Sequence, residues 1–344
     1  LKQKSLPQTS PGGVELTHRM PAFGFSDQQA KSVAAFLFQN SENPENPEPA
    51  GELIELGDVE NGKVVFASVG CVACHQADSL GSPGLFDGGD LSQISLKRKD
   101  DFWLRWFKDP AKVNPHNRMP KMTLDKKEER DLIAFLTSLE PAVSALEFDE
   151  YIVDEDLAEE GRKIYQQSGC ANCHENKVNK AKIGLSFESS AGCLEKLDAG
   201  VNRPAYDLSA SNRRALIQFY EGVKSSNSDT TQALLVRQNN CFQCHARHDS
   251  PGISDSLEQI GNAIAELDAL KPALAPPSLN GVGDKLHDRA LKEAIAREAA
   301  GRRPWLTVRM PQFGFDDAKL EELIGWFVEK DRVEEAFIAL HHSA

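Results

Sequence analysis

The chain has 344 residues, of which 40% are hydrophobic and 26% charged, and its net charge is −13. That length leaves room for roughly two to four compact domains, while the acidic balance excludes a nucleic-acid binder, which needs a basic face. No apolar run approaches the roughly 20 residues of a membrane-spanning helix. The first residue is Leu1 and no charged-then-apolar leader follows it, so any signal peptide has been removed or left out.

In chain order, residues 19–37 (RMPAFGFSDQQAKSVAAFL) predict a loop followed by an amphipathic helix, and an acidic, proline-rich run at 41–52 (SENPENPEPAGE) predicts an extended linker. A short helix over 62–68 then leads into CVACH, with Cys71, Cys74 and His75. NRMP at 117–120 follows, then a helix over 124–139, where Leu132, Ile133, Phe135 and Leu136 recur at helical spacing until Pro141 stops it. EGRKIYQQSG (160–169) precedes CANCH, with Cys170, Cys173 and His174, and RPAYDLSASNRRALIQFY (203–220) closes that stretch. QALLVRQNN (232–240) precedes CFQCH, with Cys241, Cys244 and His245, and RMPQFGFDDAKLEELIGWF (309–327) closes the last.

The chain is therefore a repeat: opening helix, C-x-x-C-H, loop, ligand loop, closing helix. It divides into an N-terminal half-module (1–40), a linker (41–52) and three units at 53–141, 150–223 and 224–332. The half-module matches the last closing segment through RMP-x-FGF and lacks a C-x-x-C-H string of its own.

In C-x-x-C-H two thiols add across the vinyl groups of a haem and the adjacent His gives one axial nitrogen to iron. A disulfide framework would not place a His after each pair, and zinc bound by two pairs would leave the third pair and the histidines unexplained. Three such strings predict three covalently bound haem c groups, with His75, His174 and His245 as proximal ligands. Units this small struggle to build a core alone. A large, flat, apolar group cross-linked to the chain solves that, so the expected fold is mostly α, with helices packed around each haem.

A sixth ligand suits electron transfer, and a Met there raises the reduction potential. Of the four methionines, Met20, Met119 and Met310 sit in R-M-P, where the following proline keeps the Met backbone extended. Met119 is the predicted ligand of the first haem and Met310 of the third. Met122 is a weaker alternative to Met119.

These motifs and flanking helices resemble the class I c-type cytochromes, strung in tandem over nearly the whole chain. The resemblance implies electron carriage in the periplasm or a comparable compartment, with haem attached after export. It also implies crossings of opening and closing helices, Gly62 with Phe135 and Gly161 with Phe219. The third unit has no obvious glycine in its opening helix, so Trp326 is expected to pack differently. A proline-bearing backbone hydrogen-bonds the proximal His in that family; PPSLNGVG (276–283) fits this role for the third haem, and Pro83 less well for the first.

The second unit breaks the pattern. Arg203 runs directly into Pro204, so the methionine is missing, while the half-module has Met20 and no haem string. The expectation is that Met20 ligates the second haem; Cys193, Tyr206 or an open position are the alternatives. Lys97, Lys99, Lys108, Lys112 and Lys121, with Arg98, Arg105 and Arg118, surround the first Met loop. They predict a rim that steers an acidic redox partner, or an ordinary solvated face. The expected function is electron transfer between redox partner proteins, alone or within a larger complex. The alternative is a haem enzyme acting at the Met-deficient second haem on a small oxidant or a sulfur or nitrogen compound.

Overall fold

The computed structural model describes residues 8–9, 15–16, 23–40, 57–81, 88–96, 98, 100–114, 117–139, 154–174, 209–223, 229–297 and 303–333. Met20, Pro83, Lys97, Lys99, Cys193 and Tyr206 lie outside these residues. The helices are α1 (Asp27–Gln39), α2 (Val59–Ser68), α3 (Asp100–Lys108), α4 (Pro110–Val113), α5 (Lys126–Ser138), α6 (Glu155–Gln167), α7 (Ala210–Val223) and α8 (Asp229–Gln238). They continue with α9 (Cys241–Cys244), α10 (Ser254–Ala263), α11 (Ala265–Asp268), α12 (Lys271–Leu274), α13 (Val282–Lys285), α14 (Asp288–Ala296) and α15 (Asp317–Asp331). The fold is mostly helical, as its sequence predicts. Strands among the described residues are confined to two short pairs: Gln8–Thr9 antiparallel to Glu15–Leu16, and His75–Gln76 parallel to Gly89–Asp90.

The chain forms two compact units, one from residues 1–51 and 145–226, the other from 52–144 and 227–344.

In the first unit α1 crosses α6. Ser26 starts α1 with a capping box, its hydroxyl accepting from Gln29 N while Gln29 Oε1 accepts from Ser26 N at 2.9 Å. Asp154 caps α6 through Leu157 N; such caps are each worth about 1 kcal/mol. Val33 and Phe36 from α1 pack with Ile164 and Tyr165 from α6, each buried side chain contributing about 1.5–3 kcal/mol. At the crossing the helices touch backbone to backbone: a Cβ on Gly161 would run into Ser32 O and Val33 N.

Here the structure corrects the expected pairing of Gly161 with Phe219. The surface of Gly161 is taken by α1, whose small Ser32 lies over the glycine while Phe36, one turn on, meets Tyr165 at a ring distance of 5.3 Å. The partner of α6 is thus chosen by a helix more than a hundred residues away in sequence.

In the second unit α2 crosses α5 in the same manner. Gly62 lies against Asp131 O and the Phe135 side chain, and Phe66 meets Phe135 at 5.6 Å, so the expected pairing of Gly62 with Phe135 is what the structure shows. The buried Asp131 carboxylate holds the start of α2, accepting from Asp58 N at 2.8 Å and from Lys127 Nζ at 2.6 Å. Phe66, Val72, Leu132 and Leu136 centre one core, and Ile253, Ile260 and Leu274 of the α10–α12 region complete it. The stretches that the repeat assigns to the first and third haem units therefore share one core. A second core joins Val236 of α8, Leu291 and Ile295 of α14 and Leu323, Trp326 and Phe327 of α15. Gly283 of α13 takes the close approach there, against Phe327 O and Val328 N.

Candidate functional site

Each C-x-x-C-H string is a single tight turn that follows a residue in the left-handed region. That residue is Gly70 (φ 104°), Gly169 (φ 73°) and Asn240 (φ 54°) in turn. Glycine enters this region without penalty and asparagine tolerates it. The reversal stops the opening helix and lets the next turn carry both thiols and the imidazole. Cys74 N donates to Cys71 O, Cys173 N to Cys170 O, and Cys244 closes α9, after which His245 N donates to Cys241 O at 3.0 Å.

None of the six described cysteines is in a disulfide. Burial, with a smaller contribution from Cys74, pushes the Cys71 and Cys241 thiols up to about 12, and burial raises Cys170 as well. These are neutral thiols at neutral pH, unlike the depressed thiolates of redox cysteines. Among the described residues no three His, Cys, Asp or Glu side chains converge as metal ligands, as a closed zinc site would require.

The first imidazole is tightly enclosed. Gly88 lies flat against His75, where any Cβ would overlap the ring, and among the described residues His75 Nδ1 has no hydrogen-bond partner. Burial lowers the pKa of His75 and also of His245, favouring the neutral ring that can donate a lone pair to a metal. At the third turn His245 Nδ1 donates to Pro277 O at 2.7 Å. This is the proline-bearing loop singled out in the sequence, and the bond fixes the tautomer that leaves the lone pair on Nε2. At the second turn Cys170 is buried, whereas Cys173 and His174 are exposed among the described residues.

Of the three R-M-P methionines, Met119 and Met310 are among the described residues. Met119 and Met122 both pack against the core that holds Cys71 and Cys74, and Trp106 Nε1 donates to Met119 Sδ at 3.0 Å. Met310 packs against the core that holds Cys241. Met20 itself lies outside the described residues. The rings just beyond it, Phe23 and Phe25, stack at 5.1 Å and pack in the core that holds Cys170. Phe313 and Phe315 stack in the same way after Met310, at 5.3 Å.

One buried ion pair, missed in the sequence, ties the third turn to its closing helix. Arg247 Nη2 donates to Asp331 Oδ1 at 2.7 Å, both side chains are only 4% exposed, and Asp331 Oδ2 also accepts from Gly283 N at 2.9 Å. Arg247 further lies over the rings of Trp326 and Phe327 at 5.2 and 5.3 Å. Removing one member of such a pair leaves a buried charge uncompensated, a loss of about 3–5 kcal/mol. The sequence signal was a charged residue two positions after the proximal His, which periodicity alone does not distinguish from a surface residue.

Of the expected basic rim, Lys108, Lys112 and Lys121 are exposed. Arg118 is exposed as well, and its guanidinium donates to Gln238 O at 2.7 Å.

At the first and third turns two cysteines, a largely enclosed imidazole and a thioether packed against a shared core suit covalent haem. No curated protein and no solved structure matches the chain. Residues 59–140 match the family model described as Cytochrome c, and a domain of that kind implies covalently bound haem c, haem-based electron transfer and redox partners.

Proposed function

We propose that the chain is a triheme c-type cytochrome that passes electrons between redox partners in the periplasm. Its haems would be held at Cys71, Cys74 and His75; at Cys170, Cys173 and His174; and at Cys241, Cys244 and His245. Axial ligation by His75 with Met119, His245 with Met310 and His174 with Met20 completes the reading. The observation that carries it is the repeated construction: each turn follows a left-handed residue and sits beside a core containing a closing helix. No described helix is long and apolar enough to cross a membrane.

The haem supplies an iron that cycles between two oxidation states at a potential set by its axial ligands and surroundings. The protein's residues do the rest. The paired cysteines anchor the ring edge, and Pro277 O aims His245 and raises its basicity. Trp106 orients the Met119 thioether, and the aromatic cores exclude water. The two turns in the second unit lie beside each other, with Asn240 Nδ2 3.9 Å from Cys74 Sγ, so the first and third haems would exchange electrons at short range. The exposed lysines near Met119 would steer an acidic partner by long-range charge, an effect that fades as salt shortens the screening length to about 8 Å.

Absorption spectra of the reduced protein with and without carbon monoxide test the function. A relay with three six-coordinate irons leaves the spectrum unchanged on adding the gas. A spectral change corresponding to one haem would instead mark an open iron and favour a haem enzyme acting at the second site.

A further inference from the structure

The two ligand loops of the second unit are tied crosswise. Arg309, one residue before Met310, donates to the Glu128 carboxylate through both terminal nitrogens, at 2.7 Å to Oε2 and 2.5 Å to Oε1. It also donates to Thr123 O at 2.7 Å, and its backbone N–H donates to Val69 O at 3.2 Å, two residues before Cys71. Glu128 belongs to α5, the closing helix of the first haem unit, where its Oε2 also completes a capping box by accepting from Asp125 N at 2.8 Å. In the reciprocal direction Arg118, one residue before Met119, reaches Gln238 O at the end of α8. The loops themselves pair as a short antiparallel bridge, Lys121 N to Gln312 O at 3.2 Å and Gln312 N to Lys121 O at 2.8 Å.

The equivalent capping position in α1 holds Gln29 and in α15 holds Lys319. Glu128 is thus the one of the three closing helices' third residues that offers a carboxylate, and it faces an arginine fork. A bidentate guanidinium–carboxylate pair fixes direction as well as distance. Its members are partly shielded, at 32% and 18% exposure, so water competes with it less than at a fully open surface pair.

We propose that Arg309 and Glu128 are a positioning pair through which the first haem unit holds the Met310 loop, so that axial ligation of the third haem depends on a residue of the neighbouring unit. This rests on the reading of Met310 as an axial ligand. Arg309 cannot shift without moving Met310 beside it. Glu128 cannot shift without loosening the first turn of α5. The two loops are therefore one mechanical element.

The test uses the full haem-loaded chain and four variants: Glu128→Gln, Arg309→Lys, Arg118→Lys and Met310→Ala. Glutamine keeps an acceptor for the capping box, and lysine keeps the charge while losing the fork. The readouts are the iron–thioether absorption band, the potential of each haem and the affinity for added cyanide. Met310→Ala should abolish one band and lower one potential. If it changes neither, the ligand reading itself is wrong. Given that loss, Glu128→Gln and Arg309→Lys should weaken the same band and raise cyanide affinity at the same haem by about tenfold. Arg118→Lys should leave that haem unchanged. The proposal is overturned if Glu128→Gln and Arg309→Lys leave the Met310 band, potential and cyanide affinity at wild-type values. It is equally overturned if Glu128→Gln disturbs only the haem bound at His75.

Discussion

Gly161→Val should separate α1 from α6 and unfold the first unit at temperatures the unaltered protein withstands. The loss expected is more than about 3 kcal/mol, because a side chain at this position meets the backbone of Ser32 and Val33, which cannot rotate away. Gly62→Val should do the same to the second unit, where the obstacle is Asp131 O. Gly325→Ala is the control. It sits in α15 with open space around it, and replacing an unconstrained helical glycine by alanine stabilises by up to about 1 kcal/mol. Thermal unfolding followed by far-ultraviolet circular dichroism separates these outcomes. A Gly161→Val protein as stable as the parent would mean that α1 does not pack on α6.

Met20→Ala should open one haem and no other. The second string has no methionine of its own, since Arg203 adjoins Pro204, and the helix that packs on its opening helix is the one following Met20. The spacing is constant: Met20, Met119 and Met310 each lie six residues before the helix-capping residues Ser26, Asp125 and Asp316. The glycines also correspond, since Gly62 and Gly161 each lie nine residues before the first cysteine of their string. The repeated crossing of α1 on α6 and the repeated sequence spacing are what support the proposed pairing of Met20 with His174. The variant should lose one iron–thioether band, bind carbon monoxide at one haem and show one lowered potential. If the Met20→Ala spectrum matches that of the parent, Cys193, Tyr206 or an open position is the answer for that iron.

The opening and closing helices were legible because their signals are local; the helices between Asp100 and Val113 and between Ser254 and Ala296 were not predicted. Ser26, Asp58, Asp125, Asp154 and Asp316 all act as N-caps, and Leu132, Ile133, Phe135 and Leu136 show their buried face as a spacing. The turns were legible because C-x-x-C-H is a chemical requirement before it is a conformation. Long-range choices were not. Gly161 is covered by the backbone of Ser32 and Val33, which lie far away in sequence. Nothing in residues 253–274 says that Ile253, Ile260 and Leu274 will enter the core of an earlier unit. Arg118 and Arg309 look alike in sequence, each preceding Met-Pro; only the fold shows that one meets a backbone carbonyl and the other a carboxylate.

The most direct measurement is the intact mass of the chain purified from a host that exports it and attaches haem. The mass should exceed that of the polypeptide by three haems. Peptide mapping should place one on each of the pairs Cys71 with Cys74, Cys170 with Cys173 and Cys241 with Cys244. A chain that carries only the haem at Cys71 and Cys74, with the other four thiols free, would contradict the triheme reading.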